Sequence, residues 1–233
     1  MTFKALAPLI YIVSVALLGC ETDLETSLDG DAGLYETTNG SSANGQGSLL
    51  VVGHSTAADD NIRRFLVKFS LPEELPENAK ITSAQLQMAV MSRGGSVAQT
   101  LELHRVTSSW EEGSANADNN LDDGVAATNG DVTWLHRSFN TSSWVAEGGD
   151  FVSTISSSTE VSDTGLYVWD SSTAMISDVQ LWVDNDSANH GWIVVANSLQ
   201  AGILHRFASG ESSDPDKRPE LVVTYNTPLT FGE

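Results

Sequence analysis

The 233-residue chain carries 31 Asp and Glu against 11 Lys and Arg, a formal charge of −20, and a single cysteine. That balance excludes nucleic acid and anionic lipid headgroups as partners for the body of the protein. One cysteine excludes an internal disulfide framework, so a packed core must hold the fold, which a chain of this length can supply.

Residues 1–20 read MTFKALAPLIYIVSVALLGC. Lys4 precedes an apolar run, interrupted by Pro8 and ending at small residues, which is the layout of a secretory leader. The run is too short to span a bilayer comfortably. Leu17-Leu18-Gly19-Cys20 resembles the lipobox of bacterial lipoproteins. The resemblance implies that Cys20 is diacylated and becomes the mature N-terminus. Two or more acyl chains give stable anchoring where one is marginal. Glu21 follows Cys20 where Asp would retain the protein at the inner membrane, so the resemblance to Gram-negative sorting implies the outer membrane, with surface exposure as a further option. The acidic run of 21–30, ETDLETSLDG, is expected to be a solvated tether.

Beyond it, short runs rich in Val, Ile, Leu, Thr and aromatics alternate with Gly, Asn, Asp and Ser clusters. That alternation predicts strands at 49–54, 64–70, 81–91, 100–106, 132–139, 165–169, 191–196, 203–208 and 220–225. Turn signals such as LPEELPENA, SRGG and ASGESSDPDKRP separate them. The expected fold is all-β, a jelly-roll-like sandwich with one short helix, as a monomeric domain over 31–226 followed by a short tail at 227–233. The helix is expected at about 174–185, where Ile176, Val179, Trp182 and Val183 form an apolar stripe that Thr173 could cap. Residues 107–131 are polar and acidic, a long loop or a series of turns.

Three stretches in order carry a resemblance: RRFLVKFSLPEELPENAKITSAQLQM; then LHRVTSSWEEG with its Asp/Asn-rich loop and TWLHRSFNTSSWVAEGGDF; then ISDVQLWVDNDSANHGWIVVAN leading into RFASGESSDPDKRPELVVTY. Together they resemble bacterial DNRLRE-type domains, which are related to a carbohydrate-binding module family found beside polysaccharide lyases. The resemblance runs from about Asp31 to Tyr225. It implies a β-sandwich without catalysis of its own.

The tripeptide LHR occurs three times, at 103–105, 135–137 and 204–206. On a strand its Leu and Arg share one face. Arg105, Arg137 and Arg206 are therefore expected at the core margin as clamps paired to acidic loops. The sharper alternative is that they gather with Arg63 to bind the carboxylates or sulfates of a glycan. Screening beyond roughly 8–10 Å allows such a basic patch on an acidic protein. A second echo, TSSW followed by acidic residues and Gly, occurs at 107–113 and 141–149. Trp110 and Trp144 are expected to fold back over the sandwich end, either one stacking a sugar ring if exposed. Trp134, Trp169, Trp182 and Trp192 are expected in the core.

Structural calcium is a candidate at Asp118, Asp122 and Asp123, although neither acidic loop has EF-hand spacing. Zinc finds no HExxH, no second Cys and no His pair. Catalysis finds no nucleophile elbow, P-loop or dinucleotide fingerprint. Convergence of His104, His136 and His205 with a Tyr would be needed for a lyase-like site. The expectation is a non-enzymatic, lipid-anchored protein that binds a polysaccharide at the cell surface and meets the membrane only through its anchor. The alternatives are a structural or adhesive surface protein that contacts protein partners and, third, a polysaccharide-active enzyme.

Overall fold

The computed structural model describes residues 21–56, 61–72, 75–76, 78–198 and 200–227. Cys20, the expected leader before it and most of the expected tail lie outside those residues. Fifteen strands follow in chain order. They are β1 (Glu21–Leu24), β2 (Ser27–Tyr35), β3 (Ser42–Asn44), β4 (Leu49–His54), β5 (Ile62–Ser70), β6 (Lys80–Gly94), β7 (Gln99–Val106) and β8 (Val125–Ala126). After them come β9 (His136–Ser138), β10 (Ser142–Ser143), β11 (Phe151–Val161), β12 (Gly165–Trp169), β13 (Trp192–Ala196), β14 (Ile203–Ala208) and β15 (Glu220–Asn226). Among the described residues one α-helix, α1 (Thr173–Asp184), lies between β12 and β13.

The strands run β1-β15-β6-β14-β4-β5-β13-β7-β11, with β12 on β6 and β2 on β5 as branches, and every pairing is antiparallel. The path curls on itself, because one hydrophobic core gathers inward residues from nearly all of it. Leu50 and Val52 of β4, Phe65 and Val67 of β5, Leu86 and Met88 of β6 and Leu101 and Leu103 of β7 all enter it. Trp169, Trp192, Phe207 and Val223 close it from β12, β13, β14 and β15. This is the all-β sandwich expected from the alternating runs. β13, β14 and β15 pair with β4, β5, β6 and β7, so the second half of the chain interleaves with the first.

α1 matches the apolar stripe. Met175, Val179 and Trp182 enter the core, and the Trp182 ring meets that of Trp192 at 4.4 Å. Its cap is Ser172 rather than Thr173: the Ser172 hydroxyl accepts from the Met175 N–H at 3.0 Å. The segment 21–30, expected as a tether, is built into the sheet. β1 pairs with the edge of β15, and β2 runs along the whole of β5. Its Asp and Gly composition hides strands whose pairing is set by distant partners.

β5 alternates between two cores. Phe65, Val67 and Phe69 face the main one, while Leu66 turns to a second, with Ala32, Leu34, Val106, Val132, Trp134, Trp144 and Ile193. The excursion of 107–150 supplies Val132, Trp134 and Trp144 of that second core. It lies over the outer face of the sheet, in place of a free loop. The expected strand at 132–139 is correspondingly short. Only His136–Ser138 is extended, paired to Ser142–Ser143, because Val132 and Trp134 must reach down to the sheet beneath.

Candidate functional site

The three LHR arginines have different partners. Arg105, on the core-facing side of β7, donates from Nε to Asp178 Oδ1 at 2.9 Å. The same carboxylate accepts the Trp192 indole N–H at 3.0 Å and the Ser156 hydroxyl at 2.5 Å. This mostly buried network bolts α1 to the sandwich. Arg206 makes a bidentate pair with Asp122, at 2.7 and 2.5 Å. Arg63 is 3% exposed. It pairs with Asp123 at 3.1 Å, donates to the Asp122 carbonyl and lies over the Tyr35 ring. Arg63 and Arg206 thus pin the acidic loop of 118–124 to the sheet. Arg63, Arg105 and Arg206, three of the candidate glycan ligands, are each held in an ion pair with a carboxylate, which makes them poor candidates for a ligand's anion.

Arg137 stands apart. It lies on β9, half-exposed, and among the described residues it forms no ion pair. Its donors reach neutral oxygens: Ser109 O at 3.1 Å, Ser109 Oγ at 3.2 Å and Ser143 O at 3.3 Å. Ser109 and Ser143 belong to the two TSSW echoes. The echoes are therefore neighbours in space, stapled by this arginine. Asp150 joins them again. It accepts from Ser108 Oγ at 3.0 Å and from the backbone N–H groups of Val145 and Ala146 at 2.8 and 2.9 Å. The two tryptophans of the echoes diverge. Trp144 is buried in the second core, its indole donating to Thr133 O at 3.0 Å, which corrects it as a stacking candidate. Trp110 remains half-exposed beside Arg137, its indole donating to His190 O at 2.9 Å.

Trp110 thus lies against His190. Burial first, and then the cations of Lys68, Arg105 and Arg137, hold the His190 imidazole below its usual range. On the other flank lies a shallow pocket of about 500 Å³ lined by Arg64, Thr107, Ser108, Val145, Glu147, Asp150 and Phe151 among others. Arg64 was not singled out by the sequence. Its guanidinium lies 4.8 Å from the Trp134 ring centre and 5.5 Å from that of Phe151, and it donates to Gly148 O at 2.8 Å. Its Nε has no partner, and it forms no ion pair among the described residues. Burial lowers its affinity for the proton, and the Glu36 charge opposes that. Val145, 96% exposed, stands at the rim. The signal available in the sequence was the RR pair of β5, whose alternation sends Arg63 and Arg64 to opposite faces.

The calcium candidates do not converge. Asp118 accepts the Ser48 N–H at 2.6 Å and its hydroxyl at 2.9 Å. Asp122 and Asp123 are held by separate arginines. The histidines do not converge either. His104 contacts Val152 O and the Phe151 ring, His136 contacts Thr133, and His205 is buried in β14 between β4 and β6.

Residues 25–145, just over half of the chain, match the model of carbohydrate-binding module family 96. The match begins before β2 and ends at Val145, so it includes the LHR of β7, the LHR of the excursion, Arg64, Trp110 and Arg137. No curated protein matches the chain.

Proposed function

The chain belongs to carbohydrate-binding module family 96, and from that premise we propose that it binds an acidic polysaccharide on the face where the two TSSW turns meet. Arg137 and Arg64 would receive carboxylate or sulfate groups, and Trp110 would offer an apolar ring to a sugar face. The observation that carries this reading is that Arg137 and Arg64, at one junction, form no ion pair among the described residues, whereas the other two LHR arginines, Arg105 and Arg206, are each paired with a carboxylate. Family membership supports a binding role, and non-catalytic binding is the form we infer. The same reading keeps the protein lipid-anchored through Cys20 at the outer membrane, as the lipobox resemblance implies.

The test is a binding titration of the full chain against alginate, pectin, sulfated glycans and neutral glucans at several salt concentrations. Saturable binding to a polyanion that weakens with salt is expected. Arg137→Ala should weaken it about tenfold to a hundredfold, the worth of a charge-assisted hydrogen bond. Trp110→Ala should weaken it about tenfold. Binding to none of the polymers, or binding unchanged in both variants, contradicts the reading.

A further inference from the structure

The acidic residues that hold the sandwich together mostly have donors facing them. One group does not. Asp31 of β2, Glu112 just past Trp110, and Glu211 in the turn after β14 each place a carboxylate oxygen within 4.8 Å of the others. Asp31 is 1% exposed. Its Oδ2 accepts the Gly210 N–H at 2.7 Å, but its Oδ1 is buried without any partner among the described residues. Glu211 Oε2 is likewise buried and without a partner. Glu112 is positioned by the Asp31 N–H at 2.8 Å and the Gln46 amide at 3.2 Å. Three anionic groups from three separate segments, two of them with orphaned buried oxygens, are not a solvated acidic surface. Orphaned buried charge is costly unless a cation satisfies it.

We propose that Asp31, Glu112 and Glu211 bind a calcium ion that ties β2, the first TSSW turn and the turn after β14 together. Carboxylate oxygens are hard donors and suit calcium or magnesium rather than a softer metal. Calcium ligands stand at roughly 2.3–2.6 Å from the ion, so oxygens up to about 5 Å apart can share one. Magnesium needs a tighter octahedron and keeps most of its water, which a site built on a buried Asp31 does not favour. Water would complete the coordination. Burial above all, then the Glu211 charge, raises the Asp31 carboxyl well above its usual range, and burial raises Glu112 as well. Both directions are those of a carboxylate cluster without its cation. The site differs from the Asp118, Asp122 and Asp123 expected from the sequence, and it stands whether or not the protein binds a glycan.

The experiment is calorimetric titration and thermal unfolding of the full chain, stripped with chelator, at neutral pH with calcium and then with magnesium. Calcium should bind with about one-to-one stoichiometry and raise the unfolding temperature progressively as its concentration exceeds the dissociation constant. Magnesium should bind at least about tenfold more weakly. Glu211→Gln, which removes one charge of the cluster and keeps the side chain's shape, should unfold in chelator no earlier than the wild type and lose the calcium-dependent rise. Asp31→Asn should lose it too, whereas Asp122→Asn should keep it. Absence of both heat and thermal shift in the wild type overturns the proposal. So does a calcium response that survives in Glu211→Gln and Asp31→Asn, which would place the ion elsewhere.

Discussion

Asp178 shows how this protein uses a buried charge. One carboxylate meets Arg105 from β7, Trp192 from β13 and Ser156 from β11. Removing it leaves three donors facing a void, and removing Arg105 leaves a buried anion. Asp178→Ala is expected to cost about 3–5 kcal/mol and Arg105→Ala about 3 kcal/mol, both read from the urea midpoint. A cost under about 1 kcal/mol for both would show that α1 docks through its apolar stripe alone. His205 is the opposite case. It is 1% exposed, with no partner for either ring nitrogen among the described residues, and burial followed by the charges of Arg93 and Arg206 lowers its pKa to about 4. The unfolded histidine takes up its proton near pH 6.5, so between that pH and about 4 the unfolded state binds more protons. Stability from this group is therefore complete above pH 6.5 and is lost as the pH falls toward 4, by up to about 3 kcal/mol. His205→Leu should flatten that limb of the stability profile, and an equally steep limb in the variant would assign it to other groups.

At the scale of elements, the excursion of 107–150 carries most of the interest. Read along the chain, its Ser, Asn, Asp and Gly content reads as loop, and 132–139 reads as strand. Both readings miss that a few apolar residues, Val132, Trp134 and Trp144, fold back onto the outside of the sheet and order everything between them. Short-range pattern reports the turns but not which surface they cover. The same limit hid β2, whose Gly-rich stretch is extended only because β5 pairs with it, and β11, whose run of Ser and Thr at 151–161 lacks an apolar alternation. Strands that are short apolar or aromatic runs bounded by turn residues, such as β4, β12 and β14, fall where the sequence places them. The TSSW echo was legible as a repeat of local structure. That its two copies touch was not, because the contact runs through Arg137 and Asp150 from outside the repeats. Gly148 holds the deeper end of this junction, with φ at +79°. A Cβ there would come within 2.5 Å of Arg64 NH1 and 2.7 Å of the Trp134 ring. Gly148→Ala is expected to cost about 1–2 kcal/mol in backbone strain. It should also weaken glycan binding by displacing Arg64, whereas a destabilised variant with wild-type affinity would remove Arg64 from the site.

At the scale of the molecule, a charge of −20 and a face for anions are compatible because the acids are mostly occupied as structure. Asp131 caps the backbone of Ser114, Ala115 and Thr128, Asp150 caps Val145 and Ala146, and Asp122 and Asp123 neutralise Arg206 and Arg63. Composition could give the sign and size of the charge, and the LHR repeats could give the arginines worth asking about. Which arginine stays free of carboxylates depends on where the acidic loops land, and only the fold decides that. The most direct test compares two LHR arginines in one assay: binding of the wild type, Arg137→Ala and Arg206→Ala to the polyanion that the wild type prefers, each with its unfolding temperature. Arg137→Ala should lose at least about tenfold in affinity with the fold retained. Arg206→Ala should bind as the wild type does while losing about 1 kcal/mol of stability. Wild-type affinity in Arg137→Ala, with binding lost in Arg206→Ala, would place the ligand on the acidic-loop side of the sandwich and contradict the proposed binding face.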